Sequence, residues 1–453
     1  MGIACGLLSL AGLILFGLRE PRSLSRSWGL APAIAGVLLL IGFSSKYAVS
    51  DSGVSEELGA AADGRRSISY FTRSLVSSGL RGFSGALEYA AFGEEYPQIL
   101  MKSDPCSGAI SRSPHIILIL DESAMNFAKV PKIITPDWLV PHFRSFDGTF
   151  RDFGVEAFGA PTIYSELSAI TGVPSRSFGD LRVLMPRFVI SSFKYSLFRA
   201  LGRCGYVSST VYPVEGRFQH AREAQMTLGV NQFVDQADMK ANARMRDGFY
   251  FDNALKLLAA RDLKKHLTFT YILTMSNHFT WDFEFEPQEK IDGLDPRNPK
   301  DVNEYFRRQT LSQRDFVTFK AHLAETFPEE QFLIVRFGDH QPFLARPYLE
   351  HEVSDAKRAT SIAEFSLLYF TTYFAVDTVN FTPTAALPDV ERLDAPYLGA
   401  EIAHLAGLPL DGVQRFQLDA IERCRGAFYN CDGGRLAKHF TNEMIRNGLL
   451  QKF

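Results

Sequence analysis

The 453-residue sequence is long enough for a large α/β core with appended segments, so a single small domain is excluded. Its 48 Lys and Arg residues nearly balance its 51 Asp and Glu residues, which gives a formal net charge of −3 at pH 7. Such a chain has no global field to draw it onto nucleic acid, and we expect no nucleic-acid partner. Any anionic substrate must therefore be recognised by local side chains.

Two apolar stretches open the chain, at residues 3–18 and 29–43. Each is slightly shorter than the roughly 20 residues that comfortably span a bilayer. The linker between them contains three arginines, and basic loops of this kind stay in the cytoplasm. The sequence therefore predicts a transmembrane helical hairpin over residues 1–44, with the rest of the chain on the periplasmic or extracellular side of the inner (plasma) membrane. A cleaved signal peptide fits less well, and a clipped N-terminus that once held further helices stays an alternative.

The texture of the sequence changes twice after the hairpin. Residues 45–111 mix Gly, Ser and charged residues with aromatic patches, which indicates a juxtamembrane connector near the bilayer surface. Short apolar runs then alternate with long, helix-compatible polar segments, a pattern typical of a mostly parallel sheet covered by helices on both faces. We predict an α/β catalytic domain of this kind over residues 112–410 and a C-terminal cap of that domain over residues 411–453. The apolar runs are residues 116–120, 267–273, 332–337 and 365–376.

Five cysteines lie too far apart for a zinc finger or a short redox motif. Cys424 and Cys431 are close enough in sequence to form a disulfide in an oxidising compartment. Five buried free thiols agree with the spacing equally well. The other cysteines are Cys5, Cys106 and Cys204.

Polar side chains follow three of the apolar runs directly. In an open α/β sheet, ligands bind at the carboxyl ends of the strands, so these positions matter most. Glu122 follows the first run, His278 follows the second, and Asp339 and His340 follow the third. Two carboxylates and an imidazole form a mixed oxygen and nitrogen set that suits zinc or manganese. Any one of them alone is more often a solvated, capping or packed loop residue.

A fourth element lies at residues 158–166, Phe-Gly-Ala-Pro-Thr-Ile-Tyr-Ser-Glu. It predicts a strand end, a tight Gly-Pro turn, and a helix that runs to about Thr171 and ends at Gly172. Thr162 would then lie at a helix N-terminus, where the partial positive charge and free N–H groups favour an alkoxide or a bound phosphate. An isolated threonine at this position is more often a simple N-cap.

These elements together resemble a known family. Glu-Ser after an apolar strand, Gly-x-x-Thr-x-x-x-Glu, Ser-Asn-His-Phe and Gly-Asp-His occur in this order, at similar separations, in lipoteichoic acid synthases. The chain is also similar to phosphoglycerol transferases that modify periplasmic glucans and, more distantly, to phosphoethanolamine transferases that act on lipid A. All belong to the alkaline-phosphatase and sulfatase superfamily, and the resemblance covers roughly residues 112–410.

The resemblance implies a set of site residues. One divalent metal ion, Mn, Zn or Mg, would be bound by Glu122, Thr162, Asp339 and His340. Thr162 would be the catalytic nucleophile, and His278 would contact the phosphate as a second catalytic residue. The aromatic and arginine that hold the head group in the synthases have no clean match here. Their candidate substrate-binding counterparts are Arg217, Phe218 and Arg222.

The resemblance also implies a function. The chain would move phosphoglycerol or phosphoethanolamine from a phospholipid donor in the membrane to an envelope glycan or lipid acceptor, through a phosphothreonine. Two alternatives stay open: a phosphodiesterase or phosphatase that uses water as the acceptor, and an inactive envelope scaffold. A formylglycine sulfatase is excluded, although residues 173–176 echo the sulfatase signature, because Gly172 stands where the oxidisable cysteine would be.

Overall fold

The computed structural model describes residues 101, 106, 113–184, 189–241, 244–350, 354 and 367–451. The predicted hairpin and most of the predicted connector lie outside these residues, as do the first two residues of the apolar run at 365–376. Within the described ranges, no helix combines the length and apolar character needed to cross a bilayer.

The core of the described chain is an eight-stranded sheet. Its strands are β1 (His115–Asp121), β2 (Arg151–Gly154), β4 (Val207–Val211), β5 (Gln232–Val234), β6 (Thr268–Leu273), β7 (Phe332–Gly338), β9 (Thr371–Val379) and β10 (Arg392–Asp394). All neighbouring strands pair in parallel except at β9, which runs antiparallel to both β7 and β2. The predicted mostly parallel sheet is therefore confirmed. The strand order across the sheet is β10-β2-β9-β7-β1-β6-β4-β5. Two further strands, β3 (Ala157–Phe158) and β8 (His340–Gln341), form a small parallel pair.

Nine α-helices are described, with several 3-10 helices between them. The α-helices are α1 (Ile163–Thr171), α2 (Leu197–Arg203), α3 (Ala221–Leu228), α4 (Asp247–Ala259), α5 (Lys300–Thr326), α6 (Arg346–Leu349), α7 (Leu398–Leu405), α8 (Gly412–Cys424) and α9 (Arg435–Arg446). The 3-10 helices are Phe127–Lys129, Asp137–Phe143, Ser175–Leu184, Ile190–Ser192, Phe218–His220, Phe343–Ala345, Ala395–Tyr397 and Cys431–Gly434.

Helices cover both faces of the sheet. On one face, α4 and α5 bury an apolar layer that includes Phe251 and Phe319, against Ile117 of β1 and Ile272 of β6. On the other face, Phe198 of α2 contacts the rings of Phe269 and Tyr271, at centroid distances of 5.1 and 6.1 Å. Successive residues of a strand point to opposite faces, so β6 contributes to both layers. Its mostly apolar sequence, in which Thr268 and Thr270 are the polar residues, follows from this double burial.

The apolar run predicted at residues 365–376 is displaced in the structure. The described residues 367–370 form a turn, and β9 begins at Thr371 and continues past the run to Val379. Asp377 interrupted the apolar pattern, but its buried carboxylate accepts hydrogen bonds from Arg336 (2.9 and 3.0 Å) and Lys320 (2.6 Å). These paired charges allow a carboxylate inside the sheet.

The described residues form two disulfides. The Cys424–Cys431 pair that the spacing allowed is formed, and it links the end of α8 to the 3-10 helix before α9. A second bridge, Cys106–Cys204, joins two residues 98 positions apart and was not expected from the sequence. It ties a residue of the predicted connector to the end of α2.

Candidate active site

The site forms where β1 and β7 end side by side. The two strands pair in parallel with Asp121 opposite Gly338, so the residues that follow them emerge at the same edge of the sheet. Gly338 lets the two ends approach closely, because a Cβ atom there would lie 2.0 Å from the carbonyl oxygen of Ala124. The glycine of the Gly-Asp-His motif therefore has a steric reason.

Four predicted side chains converge at this edge. Ligand atoms of Glu122, Asp339 and His340 all lie within 4.8 Å of one another, and all three residues are buried. His340 Nε2 lies 3.2 Å from Asp339 Oδ2 and 3.6 Å from Glu122 Oε1. The Thr162 hydroxyl donates to Glu122 Oε2 at 3.4 Å. Residues separated by more than 200 positions in the chain thus form one cluster.

Two residues that the sequence did not single out hold the carboxylates in place. The Ser123 hydroxyl donates to Glu122 Oε1 and the Ser123 N–H donates to Asp339 Oδ1, both at 2.9 Å. The Glu122 N–H in turn donates to Thr274 Oγ1 at 3.0 Å. Ser123 does this from the left-handed backbone region (φ 54°), which is uncommon for a residue other than glycine. The serine of the predicted Glu-Ser motif was the available signal.

The electrostatics of the cluster favour a cation. Asp339 is fully buried, and its Oδ2 accepts no hydrogen bond from any described residue. Burial and the neighbouring Glu122 carboxylate raise the pKa of Asp339 to about 6. An orphaned carboxylate oxygen, a second carboxylate and an imidazole nitrogen are suitable ligands for a divalent metal. The donor set therefore fits the predicted ion.

Thr162 does not behave as a simple N-cap. It precedes α1 with helical backbone angles, and its side chain makes no capping hydrogen bond. The helix itself ends as predicted, with Gly172 in the left-handed conformation (φ 74°). The hydroxyl of Thr162 is instead directed to Glu122, and it also lowers the pKa of Asp339. This placement is the one that a nucleophile held beside a metal requires.

His278 lies just beyond the end of β6 and stacks on Phe279, with ring centroids 4.5 Å apart. Its Nδ1 lies 2.8 Å from the Phe279 carbonyl oxygen, which is the geometry for an Nδ1–H donor. Burial lowers the pKa of His278 and outweighs the hydrogen bond to Phe279, which raises it, and the charges of Arg244 and His340 lower it further, so the neutral imidazole is favoured. His278 follows β6, which pairs in parallel with β1, so the ring lies at the same edge of the sheet as Glu122.

The three predicted head-group contacts have other surroundings. Arg217 is an exposed side chain that pairs with Glu215, and Phe218 is 55% exposed. Arg222 forms ion pairs with Asp235 (2.8 Å) and Asp238 (2.6 Å). Among the described residues, no hydrogen bond or ion pair joins these three to the Glu122 cluster. Their role in substrate binding stays a prediction.

The chain is similar to known proteins in sequence and in structure. No family model matches the chain. A Rhizobium meliloti (strain 1021) protein assigned to cyclic β-1,2-glucan modification is 25% identical over 256 residues, which are 55% of this chain and 39% of that protein. The chain thus matches well under two thirds of this relative.

Two solved structures share the fold. The phosphoglycerol transferase GacH of Streptococcus pyogenes, in complex with sn-glycerol-1-phosphate, aligns with a TM-score of 0.57 and 14% identity, over 81% of this chain and 91% of that chain. The lipoteichoic acid synthase LtaP of Listeria monocytogenes aligns with a TM-score of 0.51 and 16% identity, over 70% and 78%. The resemblance to phosphoglycerol transferases and lipoteichoic acid synthases of the alkaline-phosphatase and sulfatase superfamily is therefore confirmed at the level of the fold.

Proposed function

We propose that the chain is a membrane-anchored, metal-dependent transferase that moves phosphoglycerol or phosphoethanolamine from a phospholipid to an envelope glycan or lipid. The observation that carries this proposal is the convergence of the Thr162 hydroxyl with Glu122, Asp339 and His340. The bound glycerol phosphate of GacH and the glucan-modifying relative support the class of substrate.

The nucleophile needs activation because a threonine hydroxyl is weakly acidic. A divalent ion, Mn, Zn or Mg, held by Glu122, Asp339 and His340 would lower the pKa of the Thr162 hydroxyl by several units. The hydroxyl proton would pass to solvent, Thr162 Oγ1 would attack the phosphorus in line, and the bond from phosphorus to the diacylglycerol oxygen would break as that oxygen takes up a proton, which leaves a phosphothreonine. An acceptor hydroxyl reverses this step and regenerates Thr162.

His278 is suited to move the protons of both steps. The approach of an anionic phosphate raises the pKa of a neighbouring imidazole, so His278 can take up a proton and donate it to the leaving diacylglycerol oxygen. After that transfer the imidazole is neutral again. It can then accept the proton of the acceptor hydroxyl in the second step.

We place the catalytic domain on the outer face of the inner (plasma) membrane, carried by the hairpin at residues 1–44 and the connector at residues 45–111. The domain would cover residues 112–410 and its cap residues 411–453. The two disulfides support an oxidising compartment, because such bonds persist outside the cytosol. This placement brings the site to the leaflet that holds the donor lipid.

Mass spectrometry of the Thr162 peptide tests the proposal. The full chain is incubated with mixed phospholipid vesicles and digested, and we expect an added mass on Thr162 that identifies the transferred group. Thr162→Ala should lose the adduct and reduce transfer by at least about 1,000-fold, because the attacking oxygen is gone. Thr162→Ser, which keeps a hydroxyl, should still form an adduct.

Two outcomes would count against the proposal. Wild-type transfer rates in folded Thr162→Ala protein would remove Thr162 from the mechanism. An adduct that turns over to free glycerol phosphate or ethanolamine phosphate in the presence of glycan and lipid acceptors, without a modified acceptor, would identify a hydrolase instead.

A further inference from the structure

Arg244, in the loop before α4, is a half-buried cation without a carboxylate partner. Its guanidinium donates to the backbone carbonyls of His278 (2.8 Å) and Phe279 (2.6 Å). No carboxylate of any described residue lies within ion-pair distance of it. Neutral carbonyl oxygens satisfy its N–H groups but do not neutralise its charge, and a partly buried charge without a counterion is costly.

The neighbouring arginines show that this is unusual for the region. Arg246, two residues further on, pairs with Asp315 (2.6 Å) and Glu289 (2.9 Å). Arg308 pairs with Glu304 at 2.6 Å. Arg308 shares the Glu304 carboxylate with Arg307, so Arg246 and Arg308 each contact a carboxylate, whereas Arg244 contacts none among the described residues.

Arg308 already holds the backbone of the loop that carries His278. It is fully buried, and it donates to the same His278 carbonyl at 3.0 Å. The loop that carries His278 is thus held by an arginine that has a carboxylate partner. The second, unbalanced guanidinium on that carbonyl needs another explanation.

The position of Arg244 supplies that explanation. Its Nη2 lies 3.4 Å from His278 Nδ1, and His278 follows β6, just beyond Thr274, whose Oγ1 accepts a hydrogen bond from the Glu122 N–H at 3.0 Å. The guanidinium therefore lies at the edge of the sheet that carries Glu122. Phe279 (38% exposed) and Phe283 (48% exposed) lie beside it, so solvent and a substrate can approach this side of the site.

We propose that Arg244 binds the non-bridging oxygens of the phosphate that Thr162 attacks, and that it supplies the anion-binding guanidinium in place of the residues at 217–222. A phosphodiester anion would be the missing counterion of Arg244. A planar guanidinium can bind two phosphate oxygens at once, which fixes the orientation of the phosphorus. This inference rests on the proposed function and names the residue that recognises its substrate.

Binding of glycerol phosphate, without turnover, tests the inference. In the full-length, metal-loaded Thr162→Ala protein, isothermal titration calorimetry measures the affinity with Arg244 intact and with Arg244→Gln or Arg244→Lys. Gln retains N–H donors for the two carbonyls but lacks the charge, and we expect it to weaken binding by about 30-fold or more. Lys retains the charge without the planar fork and should weaken binding by only about 3- to 10-fold.

Arg297→Met is the matched control, because Arg297 is 75% exposed and pairs with Asp295. It should leave the affinity unchanged. Equal affinities in the Gln and Lys variants would show that Arg244 only holds the loop. The inference would be overturned if neither variant changed the affinity, or if the parent protein did not bind glycerol phosphate. Because the assay needs no phosphothreonine, a failure of the Thr162 adduct experiment and a failure here are distinguishable.

Discussion

The carboxylates of Asp339 and Glu122 are both buried, and an oxygen of one lies within 4.8 Å of an oxygen of the other. Burial and the charge of Glu122 raise the pKa of Asp339 to about 6, so Asp339 retains its proton up to about that pH. A divalent cation replaces that proton and attracts both carboxylates at once. Asp339 must therefore lose its proton when it binds the metal, so the affinity for the metal is linked to the titration of Asp339.

We predict that the affinity of the protein for its cation depends on pH. Because the cation must displace the Asp339 proton, the apparent affinity should fall by about tenfold for each pH unit below about 6 and change little through this group above it. Competition against a fluorescent chelator from pH 5 to pH 8 measures this. A pH-independent affinity would contradict the account.

For the metal-free protein, pH acts through Asp339 in the opposite direction: a rise in pH lowers the free energy of unfolding. The folded pKa of Asp339 lies above its ordinary value of 3.8, so the folded state binds more protons than the unfolded state between about 3.8 and about 6. Stability contributed by this group is present below that window and is lost as the pH rises through it. Asp339→Asn should remove this component of the slope.

At the scale of the elements, the site depends on how closely the end of β1 passes over the end of β7. Gly338 is the contact point, since a Cβ there would overlap the Ala124 carbonyl oxygen at 2.0 Å. That carbonyl belongs to the backbone and cannot move aside as a flexible side chain could. The turn after β1 that carries Glu122 and Ser123 would therefore have to shift.

We predict that Gly338→Ala lowers the free energy of unfolding by about 2–3 kcal/mol and weakens metal binding. Gly202→Ala is the matched control, because Gly202 lies in α2 with open space where its Cβ would be. That change should be neutral or raise the free energy of unfolding by up to about 1 kcal/mol. Urea denaturation of both variants measures the difference, and equal stabilities would refute the steric argument.

The strands that lead to the site could be predicted, because β1, β6 and β7 are buried on both faces and so carry mostly apolar side chains. β4 could not, since Ser208, Ser209 and Thr210 break its apolar pattern. These residues are buried by virtue of partners that only the fold supplies, such as Gln225, which accepts from Thr210 at 2.7 Å. The sequence does not reveal such pairings.

The same distinction applies to the site residues. Glu122, Asp339 and His340 could be named because each directly follows an apolar strand, and the structure brings them together. Arg244 belongs to no motif, and its contacts are backbone carbonyls more than 30 residues away. Arg217, Phe218 and Arg222 were candidates only because their stretch corresponds to the head-group residues of the synthases, and Arg222 is paired with two aspartates.

At the scale of the whole molecule, the two disulfides constrain very different lengths of chain. Cys106–Cys204 closes a loop of 98 residues, whereas Cys424–Cys431 closes one of 7. A longer loop loses more freedom in the unfolded state when it is cross-linked. The bridge at Cys106 should therefore stabilise the described domain more.

We predict that replacing Cys106 and Cys204 by Ser lowers the free energy of unfolding by about 4–5 kcal/mol, and that replacing Cys424 and Cys431 lowers it by about 2 kcal/mol. Guanidinium denaturation of the two double variants under oxidising conditions compares them. A larger loss from the short loop would show that the chain-entropy argument does not govern this protein.

The account as a whole depends on one cation held by residues from three separate parts of the chain. Metal analysis of the purified, dialysed protein by mass spectrometry tests this most directly, with Glu166→Gln as a control, since Glu166 is buried one turn beyond Thr162 but is not in the ligand cluster. We predict about one divalent ion per chain in the wild type and in Glu166→Gln, and nearly none in Glu122→Gln or Asp339→Asn. A folded wild type without stoichiometric metal, or ligand variants that retain it, would contradict the account.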